Sequence, residues 1–113
     1  ILAYFLQAEA LRELERLENA RAALDEAADR AGEDPGHLYR LGVLYMSVEG
    51  NEGALDAFNR AAELGMESRY LYFNRAVTHQ RLGHSDKARE DACLAAEIGE
   101  DFSQATQLCE QLQ

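Results

Sequence analysis

The chain has 113 residues, is 47% hydrophobic and carries a formal net charge of -10, with one proline, two cysteines and no tryptophan. It is long enough for one ordinary soluble domain that buries roughly two thirds of its unfolded surface, and its Ala, Leu, Glu and Arg are helix-forming. The acidic balance excludes nonspecific nucleic-acid binding, which needs clustered Lys and Arg in excess, and disfavours an anionic membrane surface.

The chain opens on ILAYFLQ, already in helical pattern with no Met and no capping residue before it, and is expected to be an excised piece of a longer protein. Helices are predicted near 2–15, 18–31, 36–48, 52–64, 69–82 and 86–98, with a seventh from about 102 to 112. Leu14 to Ala20, LERLENA, holds neither glycine nor proline, so the first two helices are read either as a pair or as one continuous helix. Asp34 followed by Pro35 is an N-cap with proline at the first helical position. Asn51, Ser68 and Ser85 are expected to cap the next three helices, and Gly50 and Gly83 to end the preceding ones. Gly32, Gly65 and Gly99 are expected to close the second helix of each pair. No apolar run approaches the eighteen or so residues of a membrane span. A soluble protein is expected, with cytoplasm and periplasm both left open.

Written in rows of thirty-four, the chain aligns with itself. Tyr4, Leu38 and Tyr72 share a column, as do Ala8, Gly42 and Ala76, and then Leu11, Tyr45 and His79. Further on come Ala20, Ala54 and Ala88, then Leu24, Phe58 and Ala92, then Ala27, Ala61 and Ala95. A period of this length marks stacked units, each burying an apolar face against the next. Within a row the first three columns form one face of a first helix and the last three one face of a second. The eighth and twentieth columns, always small, are placed where two antiparallel helices cross. Packing reads volume there, which explains a helical glycine at position 42 despite a cost of about 1 kcal/mol relative to alanine.

LYRLGVLY, Leu38 to Tyr45, followed by ALDAFNRAAEL, Ala54 to Leu64, resembles the tetratricopeptide repeat. Gln7 and Arg75 stand where that family prefers Leu, Ala92 where it prefers a bulky ring, and its proline at column 32 is absent from all rows. The AAELG ending at Ala61 to Gly65 is shared with the Sel1-like repeat, the second choice. The resemblance implies an all-α fold: a right-handed superhelix of three tandem helix-turn-helix repeats, 1–34, 35–68 and 69–102, with a capping helix at 102–112. All of it forms a single domain over 1–113 in this reading.

The resemblance further implies a concave wall made by the first helix of each pair, which takes a peptide or helix of another protein. In helical register that wall holds Tyr39, Arg40, Val43 and Met46 in the second repeat and Tyr70, Phe73, Asn74, Val77 and Arg81 in the third. Acidic residues number 21 in the chain, yet segments 36–48 and 69–82 contain none and carry Arg40, Arg69, Arg75 and Arg81. Aromatic, Met and Arg side chains dominate interface energetics, so the expected partner is a protein or peptide with apolar anchors and acidic character. An adaptor, scaffold, or assembly or secretion factor is expected. The alternative is a structural segment of a longer solenoid, used for spacing or self-association. Ten Arg against one Lys points to a GC-rich, bacterial gene.

The carboxylate-clamp variant of the family, which grips acidic chaperone tails, is not expected. Its Lys and Asn positions on the first helix hold Phe5 and Glu9, and its later Lys position holds Tyr70. A register one repeat later matches only Asn74, with Tyr39, Val43, Gln104 and Leu108 at the other places. Nor is an enzyme expected, since no HExxH, GxSxG, phosphate loop or paired CxxC occurs. His37, His79 and His84 lack helical metal-ligand spacing, and His79 in the tyrosine column reads as a satisfied, partly buried imidazole. Cys93 and Cys109 are too few for a disulfide framework or a zinc site and are read as two packed thiols, so no cofactor or metal is implied.

Overall fold

Seven helices and no strand make up the described residues of the computed structural model, 1–98 and 102–113. They are α1 (Leu2–Glu13), α2 (Leu17–Arg30), α3 (Pro35–Ser47), α4 (Asn51–Glu63), α5 (Arg69–Arg81), α6 (Ser85–Ile98) and α7 (Ser103–Gln111). All lie within a residue or two of the predicted bounds, and the all-α expectation holds. The chain divides into two compact units, Ile1–Gly65 with α1 to α4 and Met66–Gln113 with α5 to α7.

Each of the three pairs turns in the same way, and glycine is not what makes it. Glu15, Glu49 and Gly83, one per row at the same column, have φ of 57°, 61° and 81°. The following amides close back on the helix: Arg16 N–H donates to the Leu11 carbonyl, Gly50 to Tyr45 and His84 to His79, each at 2.8 Å. That left-handed residue with its long backward bond is a Schellman stop, which satisfies carbonyls the helix end would orphan. LERLENA is therefore broken at Glu15, and α1 and α2 are separate helices. The same geometry corrects Gly50, which has φ of -89° and stands as the N-cap of α4 while Glu49 takes the left-handed position.

The starts agree in part. Asp34 accepts a hydrogen bond from the His37 amide, with Pro35 inside the first turn, and Ser68 accepts from the Tyr70 and Leu71 amides. Asn51 is instead the first residue of α4, whose start has no side-chain cap, and its Oδ1 is buried without a partner. Ser85 likewise lies inside α6. Gly32 and Gly65 have φ of 60° and 96°. Gly99, expected to close α6, lies outside the described residues.

Most column residues of the first unit lie in its core, joined by Phe5 and Leu41 from outside the columns, while Tyr4 and Leu11 are half-buried. Phe5, Ala20, Leu24, Ala27, Leu38, Leu41, Ala54, Phe58 and Ala61 are fully buried. Gly42 lies directly under the Phe58 ring, where a Cβ would come within 2.4 Å of a ring carbon. The crossing of α3 and α4 is thus made by pairing the smallest residue with a large one. In the second unit Ala76, Ala92 and Leu108 form a core cluster, with Phe73, Val77, Cys109 and Leu112 packed against it. The shorter side chain of Ala92, at Phe58's column, leaves room that these larger neighbours fill.

Candidate functional site

On α3 the helical repeat turns Tyr39, Arg40, Val43 and Met46 away from the buried line of Leu38, Leu41, Leu44 and Tyr45. Val43 is 37% exposed and Tyr39 is half-buried, its ring 6.0 Å from that of Phe58. Met46 is half-buried as well. The Arg40 guanidinium lies over the Phe5 ring at 4.8 Å and sits 3.4 Å from Glu9 on α1. Its charge is therefore already shared with an exposed carboxylate, a pairing worth little in water and easily exchanged for another.

On α5 Asn74 and Val77 are less open than Arg40 and Val43 at the same columns of α3, while Tyr70 and Arg81 are exposed. Tyr70 is 50% exposed, with its ring 5.6 Å from Phe102 and beneath the Arg69 guanidinium at 5.0 Å. Phe73 is half-buried, 5.1 Å from Phe102, and it packs with Val77 on the core cluster of the second unit. Asn74 is half-buried, and its main-chain carbonyl accepts from the Thr78 hydroxyl at 2.9 Å. Arg81 is exposed near the end of the helix.

Arg75 does not stand with these groups. Its guanidinium donates two hydrogen bonds to Asp91 on α6, at 2.7 and 2.9 Å, and both side chains are largely buried. Those bonds push the proton affinity of Arg75 further up, so the guanidinium keeps its charge despite burial. In the second repeat the same columns are filled by buried Leu41 and Ala57. An ion pair in the third repeat thus stands where the second has two buried apolar residues, and the Arg departure at that column reflects its partner on the neighbouring helix.

His79 is a buried imidazole, as its column suggested. Its Nδ1 lies 3.1 Å from Nδ1 of His84, and its Nε2 lies 3.8 Å from Asp91. Burial pushes its pKa below the ordinary histidine value, against the opposing pull of Asp91. At the same column Tyr45 donates its hydroxyl to Asp25, and burial followed by that bond pushes its pKa up. Among the described residues no group of three His, Cys, Asp or Glu side chains is arranged to hold a metal ion, and no helix is long and apolar enough to cross a membrane.

The reading of Cys93 and Cys109 as packed thiols is overturned. The two are joined in a disulfide between α6 and α7, with Cα atoms 4.8 Å apart. Counting cysteines missed it. The signal lay in the columns: Cys109 is the seventh residue of a fourth row, on a helix that packs against the second helix of the row before, where Cys93 sits.

A family model of the tetratricopeptide repeat matches residues 1–34 and 70–102. Among curated proteins no sequence matches the chain. Solved structures share its fold. YrrB, a tetratricopeptide protein with an unusual peptide-binding site, is 25% identical with a TM-score of 0.73; the match covers 96% of this chain and 56% of YrrB, so the chain spans little more than half of that protein. The Yersinia enterocolitica type III secretion chaperone SycD, in complex with a peptide of the translocator YopD, is 14% identical with a TM-score of 0.73, covering 97% of this chain and 89% of SycD. The first tetratricopeptide domain of Spaghetti, bound to the HSP90 peptide SRMEEVD, is 15% identical with a TM-score of 0.76, covering 98% of this chain and 88% of the other.

Proposed function

Since this chain belongs to the tetratricopeptide repeat family, a family of non-enzymatic binding modules, we propose that it captures a peptide or helix of another protein on the faces of its first helices. The observation that carries this reading is the distribution of acid. In a chain with 21 acidic residues, α3 and α5 have none, and they present Val43 and Tyr70 to solvent beside Arg40 and Arg69. Burial by itself would remove arginine along with glutamate, whereas a face that receives an apolar, acidic segment keeps the cations and rejects the carboxylates. YrrB's peptide-binding site and the peptide complexes of SycD and Spaghetti support the class of ligand. They do not extend to the clamp residues, because Phe5 is fully buried and Glu9 is engaged with Arg40.

The test is capture from a lysate of the source cell by the wild-type chain beside a Val43→Glu, Tyr70→Ala variant. Both substitutions fall on exposed side chains, so helicity and melting should stay nearly unchanged while a specific partner is lost. Equal capture by both proteins would remove these faces from the binding reading.

One observation favours the second reading, a segment that stacks on further repeats. Gln7, Ala10 and Leu14 of the first row are exposed, Leu14 by 65%, while Leu41, Leu44 and Val48 at the same columns of the second row are buried. A further second-type helix laid on α1 would bury them in the same way. Analytical ultracentrifugation at increasing concentration tests the self-associating form, for which a Leu14→Lys variant should remain monomeric where the wild type does not.

A further inference from the structure

Part of the α5 face proposed above is occupied from within the chain. Leu108 of α7 completes the cluster with Ala76 of α5 and Ala92 of α6, and Cys109 and Leu112 pack there beside Phe73 and Val77. Phe102, at the N-cap of α7, sets its ring against both Phe73 and Tyr70, at 5.1 and 5.6 Å. Phe102, Ala105, Leu108, Cys109 and Leu112 recur at one-turn spacing and form a single apolar face. The helix is nevertheless nine residues long and buries only Ala105 and Leu108 among its own residues. A helix that short has little stability of its own in water. What holds it beyond packing is covalent, the Cys93–Cys109 bond to α6. Both cysteines are only half-buried, within reach of a dissolved thiol.

We propose that the Cys93–Cys109 disulfide is a redox latch: it holds α7 over the α5 face, and its reduction frees α7 and opens that face to a partner's amphipathic helix with apolar residues at α7's spacing. This rests on the reading of α5 as a binding face. The step needs a dithiol reductant. One of its thiolates attacks a sulfur of the pair, giving a mixed disulfide and expelling the other cysteine as thiolate. The second thiol of the reductant then displaces the remaining cysteine. Two electrons pass to the protein, the reductant leaves as a disulfide, and its two protons end on Cys93 and Cys109. The cysteines are 16 residues apart in sequence. Removing a cross-link over such a loop raises the opening equilibrium by up to about a hundredfold, and the affinity of a ligand for the open form rises with the open fraction.

The experiment uses the full chain in three states: oxidised, reduced with dithiothreitol, and as the Cys93→Ser, Cys109→Ser variant without reductant. Amide exchange across Ser103 to Gln111 is expected to be at least about tenfold faster in the last two states than in the first, with α5 and α6 unchanged. A dye-labelled peptide of residues 102–113 carrying Cys109→Ser is the binding probe, expected by anisotropy to bind the reduced chain and the variant at least about tenfold more tightly than the oxidised chain. Equal exchange in all three states would overturn the latch while leaving the lysate test of the α3 and α5 faces intact. Faster exchange across α5 and α6 as well would make the bond a staple of the whole unit and overturn it too. An α7 that opens without any peptide binding would overturn the docking surface.

Discussion

Gly42 of α3 lies so close to the ring of Phe58 on α4 that an added Cβ would meet three ring carbons at 2.4 to 2.8 Å. No atom of a side chain fits between these helices unless the ring or the helix moves. Gly42→Ala should therefore destabilise the first unit by about 1 to 3 kcal/mol, even though alanine is the better helix former. Urea unfolding measures it. A variant as stable as the wild type would show that the ring can rotate away at no cost. Phe58→Leu beside Gly42→Ala should recover part of the loss.

The Arg75–Asp91 pair offers a second test. Asp91→Ala leaves a largely buried guanidinium without its carboxylate and should cost about 3 kcal/mol. Arg75→Leu with Asp91→Ala reproduces the Leu41 and Ala57 of the second repeat and should return most of that stability. Chemical denaturation of the two variants against the wild type checks both. A double variant as unstable as the single one would show that the pair does more than fill its columns.

Acid should weaken the second unit through His79. Its folded pKa is lowered by burial from the ordinary 6.5, with Asp91 opposing and His84, Arg75 and Lys87 adding to the lowering. The unfolded chain therefore binds the proton first. The contribution is fully present above about pH 6.5 and is lost as pH falls through that value towards the folded pKa. Melting temperature between pH 7.5 and 5 should decline, and His79→Gln should flatten the decline. An unchanged slope in the variant would assign the effect to other groups.

The repeated turn predicts opposite responses at one column. Gly83 has φ of 81°, so Gly83→Ala should cost about 1 kcal/mol. Glu49 has φ of 61° and carries that strain already, so Glu49→Gly should leave stability unchanged or slightly raised. Thermal melts of the two variants read the difference directly.

Most of the helical layout was legible in the residues, because a helix buries one line of side chains and that line has a fixed period. Ala20, Ala54 and Ala88, all fully buried, show how closely the columns track the core. Turn chemistry was less legible. A left-handed stop favours glycine but is open to other residues at a modest strain, so Glu15 and Glu49 gave no sign of the stops they make. The candidate faces were legible as helical positions but not as environments. Phe73 was placed by register, and only packing shows it leaning on the cluster with Leu108. Arg75 was counted with the arginines of the acid-free segments, and its carboxylate, Asp91, sixteen positions away on another helix, was not legible.

What the sequence determined by itself was the repeat: its period, its helix pairs and the volumes at each crossing, all of which are written as side-chain size recurring at a fixed spacing. The tertiary structure decided which polar groups face each other and which cysteines meet. Cys93 and Cys109, Arg75 and Asp91, and Arg40 and Glu9 each come from different helices. Pairings of that kind depend on how one helix rotates against the next, and that rotation is set by the packed volumes of the whole interface rather than by the two residues that meet.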